Sequence, residues 1–146
     1  MALRFDLGPF EKLFIGKSVI TNSHERMLFA VEGTTRILRS KDVLRLELAQ
    51  SALEKLYHCI QQMYLEEAHE KYRASYLALR AQTVEETPEL YPEIVAADAL
   101  ITTGDHYQAL KGLKKLVRPD AFSVDRSPSV SYVPRVGGRK RALNNS

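Results

Sequence analysis

The sequence predicts an α+β protein in which a small N-terminal antiparallel β module is followed by a C-terminal helical part and a disordered basic tail. Three observations lead to this prediction. Short apolar runs separated by turn residues fill positions 1–45. Apolar side chains then recur at helical spacing, with no Gly or Pro between positions 52 and 82. The last 28 residues contain three prolines, five serines and the pair Gly137-Gly138, with only scattered apolar residues. We therefore divide the chain into a β module (1–45), a helical region (46–118) and a disordered tail (119–146).

Five short strands are predicted within the β module. The first alternates Leu3, Phe5 and Leu7 with polar residues, which is the period of a half-buried strand. The other four are centred on residues 13–15, 19–21, 27–31 and 37–38. A sheet of this size is unstable by itself, so we expect the module to dock on another part of the structure or to form a homodimer.

About three helices are predicted in the helical region. The longest covers residues 52–82 and would be about 46 Å long. That length is unusual for a small protein, so a kink or break near Glu66 and Glu67 is expected. The other two cover residues 93–102 and the stretch that begins at Tyr107 and is ended by Pro119. Four tyrosines follow the spacing of the long helix, and we interpret them as core residues or as a contact for a partner helix: Tyr57, Tyr64, Tyr72 and Tyr76.

The composition excludes several classes of protein. A chain of 146 residues is long enough for one domain with its own core. The single cysteine, Cys59, rules out an internal disulfide framework and a cysteine-based zinc site. No apolar run approaches the roughly 20 residues that span a bilayer. We therefore predict a cytoplasmic protein that makes no contact with a membrane.

The net charge of +3 is unevenly distributed along the chain. Residues 1–50 carry +2, residues 51–100 carry −5 and residues 101–146 carry +6. Residues 1–118 are neutral overall, so the excess charge lies in the tail and does not by itself predict a nucleic-acid-binding body. The basic tract at residues 139–141 could add non-specific affinity for nucleic acid, but a solubilising chain end is the simpler interpretation.

No motif for catalysis, a cofactor or a metal is found in the sequence. The chain has no phosphate-binding glycine loop, nucleophile elbow or His-Glu-x-x-His pattern. We therefore predict that it is not an enzyme and that it binds no cofactor or metal. Glu66-x-x-His69 has the spacing of one arm of a di-iron site, but no second copy exists, so a solvated helix face is the better interpretation. Cys59 is interpreted as a small buried residue.

Seven basic residues of the β module are candidates for RNA binding. They fall on or between the predicted strands, where a small sheet can hold a phosphate backbone and present pockets for bases. Acidic residues are interleaved with them at Glu11, Glu25, Glu32 and Asp42, so an ordinary soluble surface is the alternative. The seven candidates are Arg4, Lys12, Lys17, Arg26, Arg36, Arg39 and Lys41.

Several segments of the chain resemble the FlbT family of flagellin-synthesis regulators. The most recognisable is residues 14–22 (FIGKSVITN). Residues 1–4, 37–42, 62–65 and 107–111 fit the same family in the same order, so the resemblance covers about residues 1–118. It implies a post-transcriptional repressor of flagellin synthesis in flagellum biogenesis. Such a protein would associate with the 5′ untranslated region of flagellin mRNA and promote its degradation, and a second flagellar regulator, FlaF, would antagonise it.

The β module is also similar to the carbon storage regulator CsrA, a small dimeric β fold that binds leader RNA. Residues 11–16 (EKLFIG) and 38–43 (LRSKDV) carry this similarity. In that family an arginine on the first strand and one on the last strand contact RNA. The similarity implies the same role for Arg4 and Arg39, with Ser40 as the alternative alignment of the second position. It is an analogy at the level of the fold.

A second hypothesis concerns the helical region. The tyrosine stripe and the charge of −5 over residues 51–100 do not suit RNA binding. The alternative function is therefore that of a protein-interaction adaptor or chaperone-like factor, which would act on flagellin or FlaF through these helices. The two functions are compatible within one chain.

Overall fold

Residues 2–122 are described by the computed structural model, and they form five β-strands followed by four α-helices. The predicted α+β class and all five predicted strands are confirmed. The strands are β1 (Ala2–Leu7), β2 (Lys12–Ile15), β3 (Ser18–Thr21), β4 (Met27–Glu32) and β5 (Ile37–Arg39). The helices are α1 (Ala52–Glu66), α2 (His69–Glu86), α3 (Tyr91–Thr102) and α4 (His106–Lys114). Short 3₁₀ helices lie at Ser40–Asp42, Leu46–Leu48, Pro88–Leu90 and Pro119–Ala121.

The strands form two antiparallel sheets with a small core between them. β1 and β4 pair as a two-stranded ribbon, in which Phe5 lies opposite Phe29. β2 is the central strand of a three-stranded sheet with the order β3-β2-β5. The two sheets share one cluster of buried and half-buried apolar side chains: Phe5, Leu7, Leu13, Ile15, Phe29, Val31 and Ile37.

The second face of the three-stranded sheet packs on the helices. Side chains alternate along a strand, so Leu13 and Ile37 join the small core, whereas Phe14 and Leu38 pack in the larger core of the helix bundle. The β module therefore docks on the helical part, as expected for a sheet of this size. The homodimer stays a prediction.

α1 is the central helix of the bundle. Its side chains Leu56, Tyr57 and Ile60 are almost completely buried, and both α2 and α4 pack against it. At its start, the Ser51 hydroxyl accepts a hydrogen bond from the Glu54 amide, as expected of an N-cap residue. This helix therefore provides the main packing surface for α2 and α4.

The predicted long helix is two helices, α1 and α2. Glu67 ends α1 with a left-handed backbone conformation (φ 52°), so the chain turns at the position where a break was expected. The helix count is therefore four rather than about three. α2 runs antiparallel to α1. The Ala52 amide at the start of α1 donates to the Glu86 carboxylate at the end of α2 over 3.1 Å, which shows that these two helix ends lie side by side. At the turn between the two helices, the Tyr72 hydroxyl of α2 donates to the carboxylate of Glu66, the last residue of α1, over 2.6 Å.

The side chains interpreted as core residues lie in the core. Tyr57 and Tyr76 are buried, and Tyr64 and Tyr72 are half-buried against the same cluster. Cys59 is buried, and burial raises the pKa of its thiol to about 11. The core interpretation of the tyrosines and of Cys59 is confirmed.

Residues 119–122 belong to the fold, although they were predicted to begin the disordered tail. Phe122 forms a β-bridge with Leu44, and its ring packs edge-on against Tyr57 at a centroid distance of 5.3 Å. The prediction is wrong for these four residues because Ala121 and Phe122 are apolar and buried in the main core. The rest of the predicted tail, residues 123–146, lies outside the described residues.

Among residues 2–122, no helix is both long enough and apolar enough to cross a membrane.

Candidate nucleic-acid interface

A cleft of about 530 Å³ lies between the β module and the start of α4. One wall is formed by β1 and by the segment from Gly33 to β5. The opposite wall is formed by Tyr64 of α1 and by the first turn of α4. Because Phe14 and Leu38 fix the sheet on the bundle, the two walls are held at a defined separation.

Arg36 lies in this cleft immediately before β5. Its guanidinium is placed over the Tyr64 ring, 5.6 Å from the ring centroid. The Gly16 amide donates to the Arg36 carbonyl over 2.8 Å and anchors its backbone. Arg36 forms no ion pair with any residue from 2 to 122. Its fork of N–H donors is therefore available to a phosphate or to the edge of a base.

Arg4 lies on the rim of the same cleft, on exposed strand β1. Phe5 and Leu7 face the small core, so the Arg4 side chain extends from the opposite face of the ribbon. Within the described part of the chain Arg4 has no ion-pair partner. It is therefore placed to contact a ligand that extends out of the cleft.

Arg39 borders the cleft, but its guanidinium is engaged by the fold. Nη2 donates to the Asp6 carbonyl over 3.0 Å and lies 3.4 Å from a Glu11 carboxylate oxygen. These contacts tie β5 to the end of β1 and to the residue before β2. The two residues indicated by the CsrA similarity, Arg4 and Arg39, thus both border the cleft, but only Arg4 lacks a partner among the described residues.

A second depression of about 550 Å³ continues from the cleft along α4, and we call it the basic groove. Arg39, Asp42 and Tyr107 line both depressions, so the two form one surface. The Lys114 ammonium pairs with Asp42 at 2.6 Å, and the Lys111 ammonium lies 5.5 Å from the centroid of the Tyr107 ring. The lysines of the groove are Lys41, Lys111, Lys114 and Lys115.

The remaining predicted residues, Lys12, Lys17 and Arg26, line neither the cleft nor the basic groove. Lys12 donates to the Thr21 hydroxyl within the β2–β3 hairpin, and Lys17 lies in the turn of that hairpin. Arg26 forms an exposed ion pair with Asp6 at 2.9 Å. The structure therefore brings four of the seven candidates to one surface and leaves three elsewhere on the β module.

The α4 lysines and Tyr107 were not predicted as site residues. Their position beside β5 depends on a contact between Asp42 and Lys114, which are 72 positions apart in the chain. Local sequence patterns carry no information about such a contact. The available signal is the spacing of Lys111, Lys114 and Lys115, which places their side chains close together on one helix.

Two tyrosines supply the aromatic surface of the cleft. The rings of Tyr64 and Tyr107 lie 6.0 Å apart, and the Tyr64 hydroxyl donates to the Ile37 carbonyl over 3.3 Å. Burial raises the pKa of the Tyr64 phenol. Tyr107 remains 37% exposed, so its ring can accept a flat group from solvent.

His106, the first residue of α4, also lines the cleft. Burial is the main cause that lowers the pKa of its imidazole below the ordinary value of 6.5, while a hydrogen bond to the Gly104 backbone opposes the shift. The ring is therefore neutral at pH 7. Its Nε2 atom is buried without a hydrogen-bond partner in the described part of the chain. Asp105 caps the helix by accepting from the Gln108 amide.

Metal-binding side chains do not cluster in the described chain. Within residues 2–122, no three His, Cys, Asp or Glu residues are close enough to hold one ion. Glu66 instead accepts hydrogen bonds from Gln62, Lys71 and Tyr72. That the protein is not an enzyme and uses no cofactor stays a prediction.

The fold and the site define a small α+β protein with a cationic, aromatic-lined cleft between a β module and a helix bundle. The family model described as "Flagellar protein FlbT" matches residues 3–121, nearly all of the described chain. The chain belongs to the FlbT family, which confirms the resemblance found in the sequence.

Named relatives agree with this assignment. A protein of Rhodopseudomonas palustris (strain TIE-1), named "Probable flagellum biosynthesis repressor protein FlbT", is 39% identical over 126 residues, which is 86% of this chain and all of that protein. A Bradyrhizobium diazoefficiens protein with the corresponding name is 35% identical and covers 80% of this chain and 81% of its own. The Caulobacter sp. (strain K31) relative is 27% identical over 80% of this chain and 92% of its own. No solved structure matches the chain. These names support a repressor role in flagellar synthesis.

Proposed function

We propose that this protein is a post-transcriptional repressor of flagellin synthesis that acts in the cytoplasm on the 5′ untranslated region of flagellin mRNA and promotes degradation of that mRNA. Membership of the FlbT family supports the flagellar role. The observation that carries the RNA contact is the environment of Arg36, which stacks on Tyr64 in the cleft and has no carboxylate partner among the described residues.

The cleft and the basic groove together supply what single-stranded RNA requires. Arginine and lysine side chains neutralise phosphates, and aromatic rings stack on bases. Five cations of this surface form no ion pair within residues 2–122: Arg4, Arg36, Lys41, Lys111 and Lys115. Contact of all five with phosphates would make the logarithm of the binding constant fall with the logarithm of salt concentration at a slope of about −3.5.

Repression requires binding and no chemistry by this chain. A protein that covers the ribosome-binding segment of a leader stops its translation, and an untranslated leader is accessible to nucleases. Both steps follow from occupancy of the leader, so the proposed function depends on affinity and selectivity for that RNA.

The primary test is a titration of the purified full chain with its own organism's flagellin leader RNA at several salt concentrations. An unrelated leader of equal length serves as competitor. We expect leader-selective binding with the salt slope given above. Weak binding of equal strength to both RNAs would overturn the proposal.

Paired variants test whether the cleft makes the contact. Arg4→Glu combined with Arg36→Glu removes two phosphate contacts and adds repulsion, so we expect at least a tenfold loss of leader affinity at about 0.15 M salt and a salt slope shallower by about 1.4. The matched control is Lys55→Glu combined with Arg73→Glu, at exposed positions that line neither the cleft nor the basic groove. Equal losses in both double variants would show that the cleft is not the RNA-binding surface.

The effect on mRNA is measured in cells. After transcription is stopped, the half-life of flagellin mRNA is followed in a strain that lacks the gene and carries one of the three forms. We expect a short half-life with the wild-type and control chains and a longer one with the Arg4→Glu/Arg36→Glu chain. An identical half-life in all three strains would contradict a role in degradation.

A second candidate function is a protein adaptor that acts on FlaF or flagellin through the helices. The observation in its favour is that Tyr91 and Val95, one helical turn apart on α3, are exposed, as is Leu77 of α2. Purified FlaF and flagellin are each titrated with the full chain and with its Val95→Asp variant, while Val19→Asp on exposed β3 is the control. Loss of binding only in Val95→Asp would support this function, and absence of binding to the wild-type chain would reject it.

A further inference from the structure

We infer that the free edge of β4 pairs with the same edge of a second copy of this chain, so that two β ribbons form one four-stranded antiparallel sheet about a two-fold axis. The inference goes beyond the proposed function, because it concerns a strand that does not line the cleft. It is carried by an unprotected strand edge, by the exposed apolar side chains of that strand and by the charges that flank them.

β4 presents an apolar edge to solvent. Its first five residues, Met27–Val31, are all apolar (MLFAV), and among residues 2–122 the strand pairs only with β1. Leu28 is 77% exposed, more than any other large apolar side chain in this range, and Met27 beside it is exposed as well. Edge strands of soluble proteins usually carry Lys, Pro or a bulge that blocks pairing with another chain. β4 has none of these, so its free edge is a template for a further strand.

The other strands of the β module offer less to a partner. β3 has four residues and follows Lys17 directly, and β5 has three residues. β1 borders the cleft, and its Asp6 carbonyl already accepts a hydrogen bond from Arg39. A two-stranded ribbon is only marginally stable by itself, whereas a four-stranded sheet is a common size. We therefore place the second copy on β4.

The apolar side chains of β4 select the register of this pairing. Opposite residues of paired strands lie on the same face of a sheet, so Phe29 and Val31, which face the small core, must pair with core-facing residues of the second copy. A two-fold axis at Phe29 satisfies this condition. It places Leu28 opposite Ala30 of the second copy and Met27 opposite Val31 of the second copy. The alternative axis at Ala30 would place the exposed Leu28 opposite a glutamate, so the axis at Phe29 is preferred.

The charges at the two ends of β4 support the same register. Arg26 comes directly before the strand and Glu32 is its last residue, and both are exposed. With the axis at Phe29, Arg26 lies directly opposite Glu32 of the second copy, and the symmetry repeats this pair at the other end. Opposite charges that face each other across two strands stabilise their pairing. The edge of β4 is therefore self-complementary, as an interface about a two-fold axis requires.

This pairing leaves the cleft and the basic groove open, because no residue of β4 lines either of them. The two β1 strands would lie three strand spacings apart, about 14 Å, at the outer edges of the new sheet. Both Arg4 side chains would extend from the same face of that sheet, since Arg4 pairs with Ala30 on the face away from the small core. A dimer therefore carries two clefts on one assembly.

The primary test is the mass of the full chain in solution, measured by sedimentation equilibrium without RNA from micromolar to millimolar concentration. We expect twice the chain mass of 16.6 kDa. Leu28→Lys brings two ammonium groups into the interface and should give the mass of one chain. The matched control is Val19→Lys on the exposed edge strand β3, which should remain a dimer. A wild-type chain that is monomeric throughout would overturn the inference, and so would a dimer that survives Leu28→Lys or is lost in Val19→Lys.

Two charge reversals test the register. Arg26→Glu places two carboxylates opposite each other at both ends of the interface, and Glu32→Arg places two guanidinium groups there. Each variant alone should dimerise at least about tenfold more weakly than the wild-type chain. An equal mixture of the two variants restores an opposite pair at both ends, so dimers that contain one chain of each should form with close to wild-type affinity. Variants that dimerise like the wild-type chain, or a mixture no more associated than its components, would contradict the register.

The outcomes separate this inference from the proposed function, because the dimer is measured without RNA. Leader-selective binding by a wild-type chain that is monomeric would overturn the β4 interface alone. A wild-type dimer that follows the pattern of the variants but does not prefer the flagellin leader would overturn the proposed function and support the interface.

Discussion

The helix bundle and the cleft differ in whether their polar side chains have partners within the chain. In the bundle, buried polar groups are paired within the chain: Gln61 binds both backbone groups of Leu44, and Glu54 is held by two guanidinium nitrogens of Arg118. At the cleft, Arg36 and Arg4 have no carboxylate partner among residues 2–122, and the buried Nε2 atom of His106 has no hydrogen-bond partner there either. The bundle therefore uses its polar groups for stability, and the cleft leaves the guanidinium groups of Arg36 and Arg4 available to a ligand.

This difference separates two kinds of substitution. A change in the bundle should lower the free energy of unfolding and leave RNA affinity unchanged once the chain is folded. A change at the cleft should do the reverse, because the group it removes makes few contacts within the chain. Three substitutions test the comparison, in order of decreasing effect on stability.

Gln61→Met should have the largest effect. It keeps the length of the side chain but leaves the Leu44 amide and carbonyl buried without their present partners, which lie 2.7 and 3.2 Å from Gln61. We expect a loss of about 3 kcal/mol in the free energy of unfolding, measured by urea denaturation. The neighbouring Gln62→Met is the matched control, because the half-buried Gln62 side chain donates to Glu66 and accepts from Gln61 but binds no backbone group of Leu44, and it should cost less than about 1 kcal/mol. Comparable losses in the two variants would mean that the Gln61 bonds do not stabilise the fold.

Glu54→Gln should have the next largest effect. Arg118 donates to both Glu54 oxygens over 2.7 and 2.9 Å, and the Glu54 side chain is only 4% exposed, whereas Arg118 is 39% exposed. Partial exposure of the arginine limits the penalty, so we expect a loss of about 2 kcal/mol at pH 7. Leader affinity should remain within twofold of the wild-type value, and a large loss of affinity without a loss of stability would reverse the roles assigned to the two regions.

The same ion pair predicts a dependence of stability on pH. The hydrogen bond from Arg118 is the main cause that lowers the pKa of Glu54 below its ordinary value of 4.5. The unfolded chain therefore takes up this proton first, and the contribution of Glu54 to stability is present above pH 4.5 and is lost as the pH falls further. Denaturation curves between pH 7 and pH 3 should show a smaller loss for Glu54→Gln than for the wild-type chain. Parallel pH profiles would show that Glu54 contributes nothing to the acid sensitivity.

The sequence was sufficient for the features that depend on local patterns. Strand alternation, helical spacing and the Gly and Pro turns placed all five strands, and the unusual length of one predicted helix indicated the break at Glu67. The end of the fold was missed because Phe122 is held by contacts with Leu44 and Tyr57, which are distant in the chain. Such contacts leave no periodic signal in the residues that make them.

The candidate site was predicted only in part for the same reason. Basic residues of the β module were visible in the sequence, but their environments were not. Arg36 and Arg39 have the same chemistry and lie only three positions apart, at the two ends of β5. Arg36 nevertheless stacks on Tyr64 in the cleft, whereas Arg39 binds the Asp6 carbonyl and Glu11. His106 carried no sequence signal, because a partnerless nitrogen is a property of the folded surroundings.

Arg36 and Arg39 give the finest test of the comparison and the smallest expected change in stability. Arg36→Gln removes only a cation–π contact at an exposed position, so the free energy of unfolding should change by less than about 1 kcal/mol. Leader affinity should fall severalfold, and the salt slope should become shallower by about 0.7. Arg39→Gln, the matched control, breaks the contacts to Asp6 and Glu11 and should lose about 1–2 kcal/mol of stability with a smaller loss of affinity. Because the two changes remove the same charge from one border of the same cleft, electrostatics at long range would affect both variants alike. If Arg36→Gln mainly lowers affinity and Arg39→Gln mainly lowers stability, the environment of each arginine, rather than its charge, decides whether it stabilises the fold or binds the ligand. Equal effects of the two substitutions on both quantities would show that the two regions are not distinct.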